Sequence, residues 1–291
     1  MDGTLWQRLV RGVWRVRHRE DWEHLAGSDY PLRIMEVDVT DSYHAKQGRS
    51  TGRLILDRDG RRLSVFLKRH YRLPFWQGLL AALWPGRGWS PAVQEWERLE
   101  WARRQGMPVP ATVAAGESIG PWGRLQSFLA VEELTGMVPL HRAIPAAATR
   151  LAPEAWARWK RGLVIELARL ARDLHGRRWF HKDLYLCHFF VPEGDLERVP
   201  GAWRGRVHVI DLHRLAHHPR SWRLWQVKDL AELLYSSELP GVTARDRVRF
   251  WHHYLGEEGG SRAGQWLRGL VLWKWQRYRR HNEKRKRLRA A

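Results

Sequence analysis

Two aspartates in the second half of the chain lie in short motifs that also contain histidine. Asp183 is part of HKDLYLCHFF, and Asp211 is part of VIDLH. Phosphoryl transfer uses such a pair, because one carboxylate orients the attacking hydroxyl and accepts its proton while another holds a metal ion against the transferred phosphate. An H-x-D triplet alone is common, and it is more often a buried aspartate that caps a turn. The predicted elements around the two motifs distinguish these interpretations.

The order of the elements around the two aspartates favours phosphoryl transfer. Apolar residues at helical spacing predict a long helix over residues 153–175, directly before the first motif. A short apolar strand over residues 207–212 carries the second motif. A loop of the form H-x-D-x-x-x-x-N between a helix and a strand is the pattern of protein kinases. His188 stands where that pattern has Asn, so it is a candidate metal ligand, or it could bond a phosphate or the loop itself.

A lysine in the first half of the chain could meet the phosphates of a nucleotide. Lys68 lies in SVFLKRHY, on a strand that follows a predicted hairpin turn at Asp59 and Gly60. Its apolar neighbours allow the side chain to point into a binding site. The alternative is a solvated lysine at a sheet edge.

A phosphate-binding lysine needs a carboxylate to fix its position, and one predicted helix offers three. Ser90 reads as the N-cap of this helix, with proline at the next position. Glu95 shares a stripe with apolar residues and should turn inward, whereas Glu97 and Glu100 are predicted to be surface charges. We therefore expect Glu95 to pair with Lys68.

Two kinds of structure are needed to position these residues. Short alternating runs predict an antiparallel sheet in the first half of the chain, and the pattern after Gly136 is helical. This order predicts an α+β fold with a small, mostly antiparallel β lobe and a larger helical lobe. We expect the first lobe, with a basic N-terminal helix and the Glu95 helix, over residues 1–135, and the catalytic lobe over residues 136–291. The predicted strands of the first lobe are residues 33–39, 53–57, 63–69, 109–115 and 124–132, and helices beyond the second aspartate cover 222–235 and 246–291.

The motifs together resemble the lipopolysaccharide kinase family, which phosphorylates Kdo and heptose sugars of the inner core. The resemblance extends over about residues 39–237 and is carried by FLKRHY, EWERLEWARRQGMPVP, FLAVEELTG, HKDLYLCHFF, VIDLHRL and WQVKDLAELLYSS. It implies a protein-kinase-like fold, ATP as the phosphate donor, Mg²⁺ as the metal, and a hydroxyl of a lipid-linked sugar as the acceptor.

The resemblance also implies roles for individual residues. By position, Lys68 would contact the ATP phosphates, Asp183 would be the catalytic base, and Asp211 would bind the metal. The loop SYHAKQGRSTGR replaces the glycine-rich loop of protein kinases, so phosphate cover would rely more on side chains. The expected set is Asp183, Lys68 and Glu95 as catalytic residues, Lys68, Glu132, Leu134, Lys46 and Ser50 as cofactor-binding residues, and Asp211 and His188 as metal ligands.

Two further polar residues accompany the catalytic motifs. Asp229, in VKDLAELL, is expected to accept hydrogen bonds from main-chain amides of the catalytic loop rather than to react. Arg214 follows Asp211 closely and could contact a phosphate or pair with a surface carboxylate. The D-F-G triplet of protein kinases is replaced by D-L-H, which keeps the metal ligand and removes the glycine hinge.

The composition is that of a globular chain with a strong positive charge. Lys and Arg number 51 against 31 Asp and Glu, a formal net charge of +20, which attracts nucleic acid, anionic lipid or phosphorylated glycans. A single cysteine, Cys187, excludes an internal disulfide and favours a reducing compartment. We find no secretory signal and no run of about 20 apolar residues. The 19 Trp favour a membrane surface among the anionic partners.

Three segments could bring the chain to a membrane. Residues 6–14 predict a basic amphipathic helix, residues 72–89 form an aromatic loop flanked by arginine, and residues 273–289 form a basic tail. Each has an alternative: packing of the helix or the loop on its own lobe, or a solvated helix end. We favour the interface for the loop, because the implied acceptor is anchored in a membrane.

We therefore predict an ATP-dependent kinase for a lipid-linked sugar at the cytoplasmic face of the inner membrane, with nucleic acid an unlikely partner. One alternative is a protein Ser/Thr or Tyr kinase of the same fold. Another is a catalytically inactive kinase-like protein that binds nucleic acid. Lys68, Asp183 and Asp211 together argue against the inactive protein, because pure binding does not need all three.

Overall fold

Antiparallel strand pairing dominates the first part of the chain, and helices dominate the rest. The computed structural model describes residues 4–40 and 48–290, and of residues 284–290 the backbone alone. Two compact units divide at one point in the sequence, Met1–Leu134 and Thr135–Ala291. None of the helices within the described residues is both long and apolar enough to cross a bilayer.

The described strands of the N-terminal unit form one antiparallel sheet. The elements in chain order are α1 (Leu5–Val10), β1 (Val13–His18), α2 (Glu20–Ala26), α3 (Tyr30–Arg33), β2 (Arg49–Arg58), β3 (Arg61–His70), α4 (Phe75–Leu83), α5 (Pro91–Arg104), β4 (Thr112–Ile119) and β5 (Leu125–Glu132). The strand order in the sheet is β1, β4, β5, β3, β2. Lys68 lies on β3, opposite Thr51 of β2 on one side and Leu129 of β5 on the other.

The hairpin between β2 and β3 turns at Asp59 and Gly60, as predicted. Both residues have positive φ, 51° and 74°. This is the backbone of a two-residue hairpin turn whose twist matches the strands, and it favours Asp-Gly. The turn fixes the register of β2 on β3 over its full length and so the face on which Lys68 lies.

The predicted helix over residues 6–14 was wrong in its second half. A helix, α1, ends at Val10, and β1 follows and pairs with β4. Gly12 separates them with a φ of 81°, a conformation that ends a helix and that side chains rarely adopt. The pairing partner β4 lies a hundred residues away in the sequence, so the local pattern of apolar residues does not reveal it.

Residues 33–39 do not form the predicted strand. A short helix, α3, leads into this segment with proline in its first turn, and Ile34 and Met35 are buried in the core beneath the sheet. The side chain of Arg69 donates from Nη1 to three main-chain carbonyls of the segment, at 2.6 to 3.3 Å. A buried guanidinium thus satisfies acceptors for which a strand would need a neighbouring strand.

Residues 72–89 are not the loop that the sequence suggested, because Phe75–Leu83 form the helix α4. The helix packs through small residues, Gly78, Ala81 and Ala82, all buried. A Cβ added to Gly78 would stand 1.9 Å from the carbonyl oxygen of Gly123, so only glycine permits this approach.

The C-terminal unit is built on long helices with short strands beside them. The predicted helix over residues 153–175 is confirmed, whereas the predicted strand over residues 207–212 is reduced to two residues. The elements in chain order are β6 (Met137–Pro139), α6 (Leu140–Arg150), α7 (Pro153–Gly176), β7 (Trp179–Phe180), β8 (Phe189–Pro192), β9 (His208–Val209), β10 (Ala216–His217), α8 (Trp222–Ser236), α9 (Ala244–Leu255) and α10 (Arg262–Ala290). Helices α7 and α9 pack together, as do α8 and α10.

Candidate active site

An ion pair lies on the N-terminal unit between β3 and α5. Nζ of Lys68 is 2.7 Å from Oε1 of Glu95, whose side chain is only 5% exposed. Ser90 fixes the start of α5, because its side chain accepts a hydrogen bond from the amide of Val93. The predicted cap is therefore confirmed, and it sets which residues of the helix turn toward β3.

The other two glutamates of α5 have different partners. Glu97 is half exposed and pairs with Arg17 at 3.3 Å. Glu100 accepts hydrogen bonds from Thr112 and Arg103. Burial alone would raise the pKa of Glu100, and these donors bring it below its usual value. The structure therefore brings Glu95, rather than Glu97 or Glu100, to Lys68.

Side chains of helix α8, in the C-terminal unit, accept hydrogen bonds from main-chain amides of the catalytic loop. The carboxylate of Asp229, fully buried, accepts hydrogen bonds from the amides of His181 and Lys182, both at 2.8 Å. The predicted structural role of Asp229 is therefore confirmed. Lys182 has a φ of 68°, and the two bonds hold the loop in this unusual conformation.

Two more residues of α8 hold the same loop, and the sequence interpretation missed both. Glu232 accepts from the amide of Leu184 at 3.2 Å, and Ser236 accepts from the amide of Leu186 at 3.0 Å. Glu232 is almost fully buried, and burial raises its pKa above the usual value. The signal that could have found them is the spacing from Asp229: three and seven residues on, one polar stripe on an otherwise apolar helix face.

The buried ring of His181 connects the two aspartate motifs. Its Nε2 lies 3.0 Å from the carbonyl oxygen of Ile210, directly before Asp211. Burial lowers the pKa of His181, so the imidazole is neutral and donates from Nε2. The ring also stacks on that of His188, with centroids 5.6 Å apart. The histidine of the H-x-D motif therefore sets the spacing of the two motifs.

The carboxylate of Asp183 lies between two cations. Nη1 of Arg214 is 2.9 Å from each carboxylate oxygen, and Nζ of Lys228 is 3.7 Å from Oδ1. Arg214 thus pairs with a carboxylate, one of the two possibilities open from the sequence, but that carboxylate is Asp183 itself. Lys228 was not expected from the sequence.

Asp211 and His188 face one another in the C-terminal unit. Nδ1 of His188 lies 2.7 Å from the main-chain oxygen of Asp183, which leaves Nε2 toward Oδ2 of Asp211 at 3.8 Å. The other carboxylate oxygen of Asp211 is 2.7 Å from Nδ1 of His213. Asp211 has a φ of 63°, in the left-handed region that few residues other than glycine, asparagine and aspartate adopt.

These donors fit a divalent cation that keeps part of its own shell. A carboxylate oxygen and an imidazole nitrogen at that separation can share one ion. Among the described residues no group of three or more His, Cys, Asp or Glu side chains is arranged to hold a metal, so water and phosphate would complete the coordination. Burial lowers the pKa of His188, but contacts from Cys187, the carbonyl of Asp183 and the carboxylate of Asp211 raise it to about 9. A bound metal would displace that proton.

The remaining predicted cofactor-binding residues lie on the N-terminal unit. Ser50, on β2, accepts a hydrogen bond from Nε of Arg69 at 2.9 Å. Glu132 ends β5 and pairs with Arg19, and Leu134 is the last residue of the unit. Lys46 lies outside the described residues. The structure thus pairs Lys68 with Glu95 and groups Asp183, His188 and Asp211, while Ser50 and Glu132 have other partners.

Comparison with known proteins identifies the family. The model of the lipopolysaccharide kinase (Kdo/WaaP) family matches residues 38–254. The chain belongs to this family. Its fold class, predicted from the order of strands and helices, and its activity as a phosphotransferase acting on a lipopolysaccharide sugar hydroxyl are thereby confirmed.

Individual relatives agree with the family assignment. The chain is 31% identical over 244 residues to the lipopolysaccharide core heptose(I) kinase WaaP of Pseudomonas aeruginosa, which covers 83% of this chain and 86% of that protein. It is 34% identical over 168 residues to the enzyme of the same name from Escherichia coli, or 56% of this chain and 60% of that one. A solved structure, WaaP in complex with acyl carrier protein, superposes with a TM-score of 0.67 at 29% identity, over 90% of this chain and 98% of that chain.

Proposed function

We propose that this lipopolysaccharide kinase transfers the terminal phosphate of ATP to a heptose hydroxyl of the inner core. The observation that carries the proposal is the loop of Asp183, whose amides are held by Asp229, Glu232 and Ser236. A loop held by four hydrogen bonds to one helix keeps one carboxylate in a fixed position, which is what positioning of an attacking hydroxyl requires. The names of the relatives favour heptose as the sugar.

In this mechanism each predicted residue has one task. Asp183 orients the acceptor hydroxyl and receives its proton, and Lys68, fixed by Glu95, binds phosphate oxygens of the nucleotide. Ser50 and Lys46 contribute to phosphate binding, and Glu132 and Leu134 contact the rest of the nucleotide. The ion pair at 2.7 Å supports the role of Lys68, because a lysine held by a buried carboxylate is pre-oriented.

Mg²⁺ is the metal that we propose, held by Asp211 with His188 as a second ligand. When bound, it would neutralise charge on the phosphates and leave the remaining coordination to water and phosphate oxygens. The single-nitrogen contribution of His188 is unusual for Mg²⁺, which prefers oxygen, so Asp211 is the main ligand in this proposal.

A transfer assay with terminally radiolabelled ATP tests the function. The acceptors to compare are a core glycolipid that ends in heptose, a glycolipid that ends in Kdo, a generic protein substrate and no acceptor. We expect label in the heptose glycolipid alone. Label in the generic protein substrate would favour a protein kinase. Equal release of labelled inorganic phosphate with and without acceptor, and no labelled acceptor, would show that the chain only hydrolyses ATP.

We further propose that the enzyme works at the cytoplasmic face of the inner membrane, bound to its surface. Five exposed aromatic side chains support this, and we call them the aromatic surface. They lie on elements in mutual contact: Nε of Arg8 on α1 donates to the carbonyl of Ala82 on α4, and the amide of Trp122 donates to the carbonyl of Leu9. The aromatic surface comprises Trp6, Phe75, Trp76, Trp84 and Trp122, each 56 to 68% exposed.

Exposed aromatic side chains in such a group are costly in water and are typical of a membrane or protein interface. Arginines flank the same segments at Arg11, Arg72, Arg87 and Arg124. Arginines next to exposed aromatic residues suit anionic lipid headgroups, because the aromatic side chains enter the interface while the guanidinium groups bind phosphate.

Acyl carrier protein is a second partner that we propose, on the precedent of the structural neighbour. The supporting observation is a mostly apolar cavity inside the C-terminal unit, lined by residues of α6, α7, α8, α9 and α10. Leu163, Leu167, Leu230, Leu234 and Phe250 line its walls. A cavity with this lining suits an acyl chain, whose transfer from water it favours by about 0.8 kcal/mol for each CH₂ group.

Filling the cavity tests this partner. Leu167→Trp should weaken binding of acyl carrier protein that bears a long acyl chain, measured by titration, and should leave binding of the carrier without an acyl group unchanged. Leu224→Trp, at an exposed position of α8, is the matched control. Equal affinity of wild type for the acylated and unacylated carrier would contradict the use of the cavity.

A further inference from the structure

Two cations contact the carboxylate of Asp183, and they are held in different ways. The ammonium of Lys228 also donates to the main-chain oxygen of Lys182 and to the carboxylate of Glu232, so it is anchored on three sides. The guanidinium of Arg214 is 44% exposed, and within the part of the chain that the structure describes both of its hydrogen bonds go to Asp183. Arg214 is therefore the cation that is free to change partner.

The chemistry of the transfer fixes what must come next to Asp183. The acceptor hydroxyl has to lie within hydrogen-bond reach of the carboxylate, about 2.6 to 3.2 Å. Its oxygen has to approach the phosphorus to about 3 to 3.5 Å before it can attack. The transferred phosphoryl group is therefore only a few ångströms from the carboxylate to which Arg214 is bonded.

We propose that Arg214 binds the oxygens of the transferred phosphoryl group, exchanging its bonds to Asp183 for bonds to phosphate. A phosphate carries more negative charge than a carboxylate and presents several oxygens to one guanidinium, so the exchange is favourable once the donor is bound. The move also frees the carboxylate of Asp183 for the acceptor. The proposal rests on the role of Asp183 in the function proposed above.

The transfer step then assigns a place to every group. The acceptor oxygen forms a bond to the terminal phosphorus as the bond from that phosphorus to the bridging oxygen breaks, and ADP leaves with the electron pair. The hydroxyl proton passes to a carboxylate oxygen of Asp183. Charge that spreads over the three oxygens of the transferred group is stabilised by Arg214, while Lys228 stays beside Asp183 and keeps the carboxylate in position.

Comparison of two nucleotides separates phosphate binding from a purely structural role. We would titrate wild type, Arg214→Ala and Arg214→Lys with ADP and with a non-hydrolysable ATP analogue, in the presence of Mg²⁺ and without acceptor. We expect Arg214→Ala to bind the ATP analogue roughly ten- to a hundredfold more weakly, as for loss of a hydrogen bond to a charged group, and to bind ADP unchanged. The affinity of Arg214→Lys for the ATP analogue should lie between that of wild type and that of Arg214→Ala.

Arg220→Ala is the control, because Arg220 is an exposed arginine in the same segment between β9 and α8. This variant should bind both nucleotides as wild type does. If Arg214→Ala loses the same factor for both nucleotides, or binds the ATP analogue as tightly as wild type does, Arg214 merely positions Asp183 and the proposal is wrong. Arg214→Lys keeps the charge and gives the same comparison if the alanine variant is unstable. Because no acceptor is present, this outcome is independent of the sugar: failure of wild type to phosphorylate any glycan would instead overturn the proposed function.

Discussion

At the scale of single residues, ion pairs hold a candidate reactive side chain in each of the two units. Lys68 is fixed by Glu95, and Asp183 is flanked by Arg214 and Lys228. The first pair could be predicted, because Glu95 shares a helical stripe with apolar residues. The contacts of Asp183 could not, because Arg214 lies in an irregular segment whose direction depends on tertiary packing rather than on local pattern.

Replacement of the proposed base gives a direct prediction at this scale. Asp183→Ala should lower kcat by roughly a hundredfold or more, because a positioned base contributes on that order. The affinity for the ATP analogue should change much less, because Asp183 acts on the acceptor. Single-turnover transfer and nucleotide titration measure the two effects, and retention of more than about a tenth of kcat would show that another residue serves as base.

The ion pair of the N-terminal unit allows a test by double-mutant cycle. Lys68→Met should raise the KM for ATP and lower kcat, and Glu95→Gln should do the same more weakly. Because the two side chains contact each other directly, their effects should be strongly non-additive, whereas Glu97→Gln should combine additively with Lys68→Met. Additivity of Glu95→Gln with Lys68→Met would contradict the pairing as a functional unit.

At the scale of elements, one helix organises the catalytic loop. Four main-chain amides of that loop donate hydrogen bonds to side chains of α8, namely Asp229, Glu232 and Ser236. Tyr278 of α10 also lies against Glu232, at 3.4 Å, so the start of the predicted basic tail packs on α8 rather than standing free in solvent. Tertiary contacts of this kind stabilise α10 as a helix, because an isolated basic segment would form a helix only weakly in water.

The sequence predicts the long elements better than the short ones. Helix α7 has enough turns for its apolar stripe to be unambiguous, and β2 and β3 are joined by a turn with its own signature. Strand β1 and helix α4 escaped prediction for a different reason. Their conformations depend on partners far away in sequence, β4 for the first and the turn at Gly123 for the second.

A buried pair at the start of α9 predicts a pH dependence of stability. Asp246 accepts from Thr243 and lies 2.7 Å from Nζ of Lys160. Burial alone would raise the pKa of Asp246, but Lys160 and Thr243 bring it below the usual value. A carboxylate whose folded-state pKa is lowered stabilises the fold above its unfolded pKa, near 4, and loses that contribution as the pH falls through the folded value.

Asp246→Asn should therefore destabilise the chain at pH 7 by roughly 3 kcal/mol, because Lys160 is left buried without its counter-charge. The difference from wild type should shrink as the pH falls below about 4. Urea unfolding across this pH range measures it, with Asp173→Asn in the half-exposed pair with Arg169 as a control that should change by less than about 1 kcal/mol. A difference that is independent of pH would contradict the role of the charge.

At the scale of the whole molecule, the net charge of +20 and the aromatic surface point to the same partner. Charge alone gives binding that salt removes, whereas aromatic side chains inserted into an interface give a part that salt does not remove. The positive charge could be predicted from composition. The grouping of Trp6, Trp84 and Trp122 could not, because it depends on α1, α4 and a turn coming together.

Vesicle binding separates the contribution of the positive charge, which salt removes, from that of the aromatic surface, which salt does not remove. Wild type should bind anionic vesicles, should bind neutral vesicles poorly, and should retain part of its binding to anionic vesicles at high salt. Trp76→Ser with Trp84→Ser should remove that retained part, whereas Trp266→Ser, at an exposed position of α10, should not. Co-sedimentation over a salt series measures this. If the double variant binds at high salt as wild type does, the aromatic surface does not enter the membrane.

Locating the phosphate in the product shows whether the chain phosphorylates a heptose of the inner core through Asp183. Core glycolipid incubated with ATP, Mg²⁺ and either wild type or Asp183→Asn would be analysed by tandem mass spectrometry. We expect one added phosphate on a heptose with wild type and essentially none with Asp183→Asn. Phosphate on Kdo or on no sugar at all, or equal product from the two proteins, would contradict it.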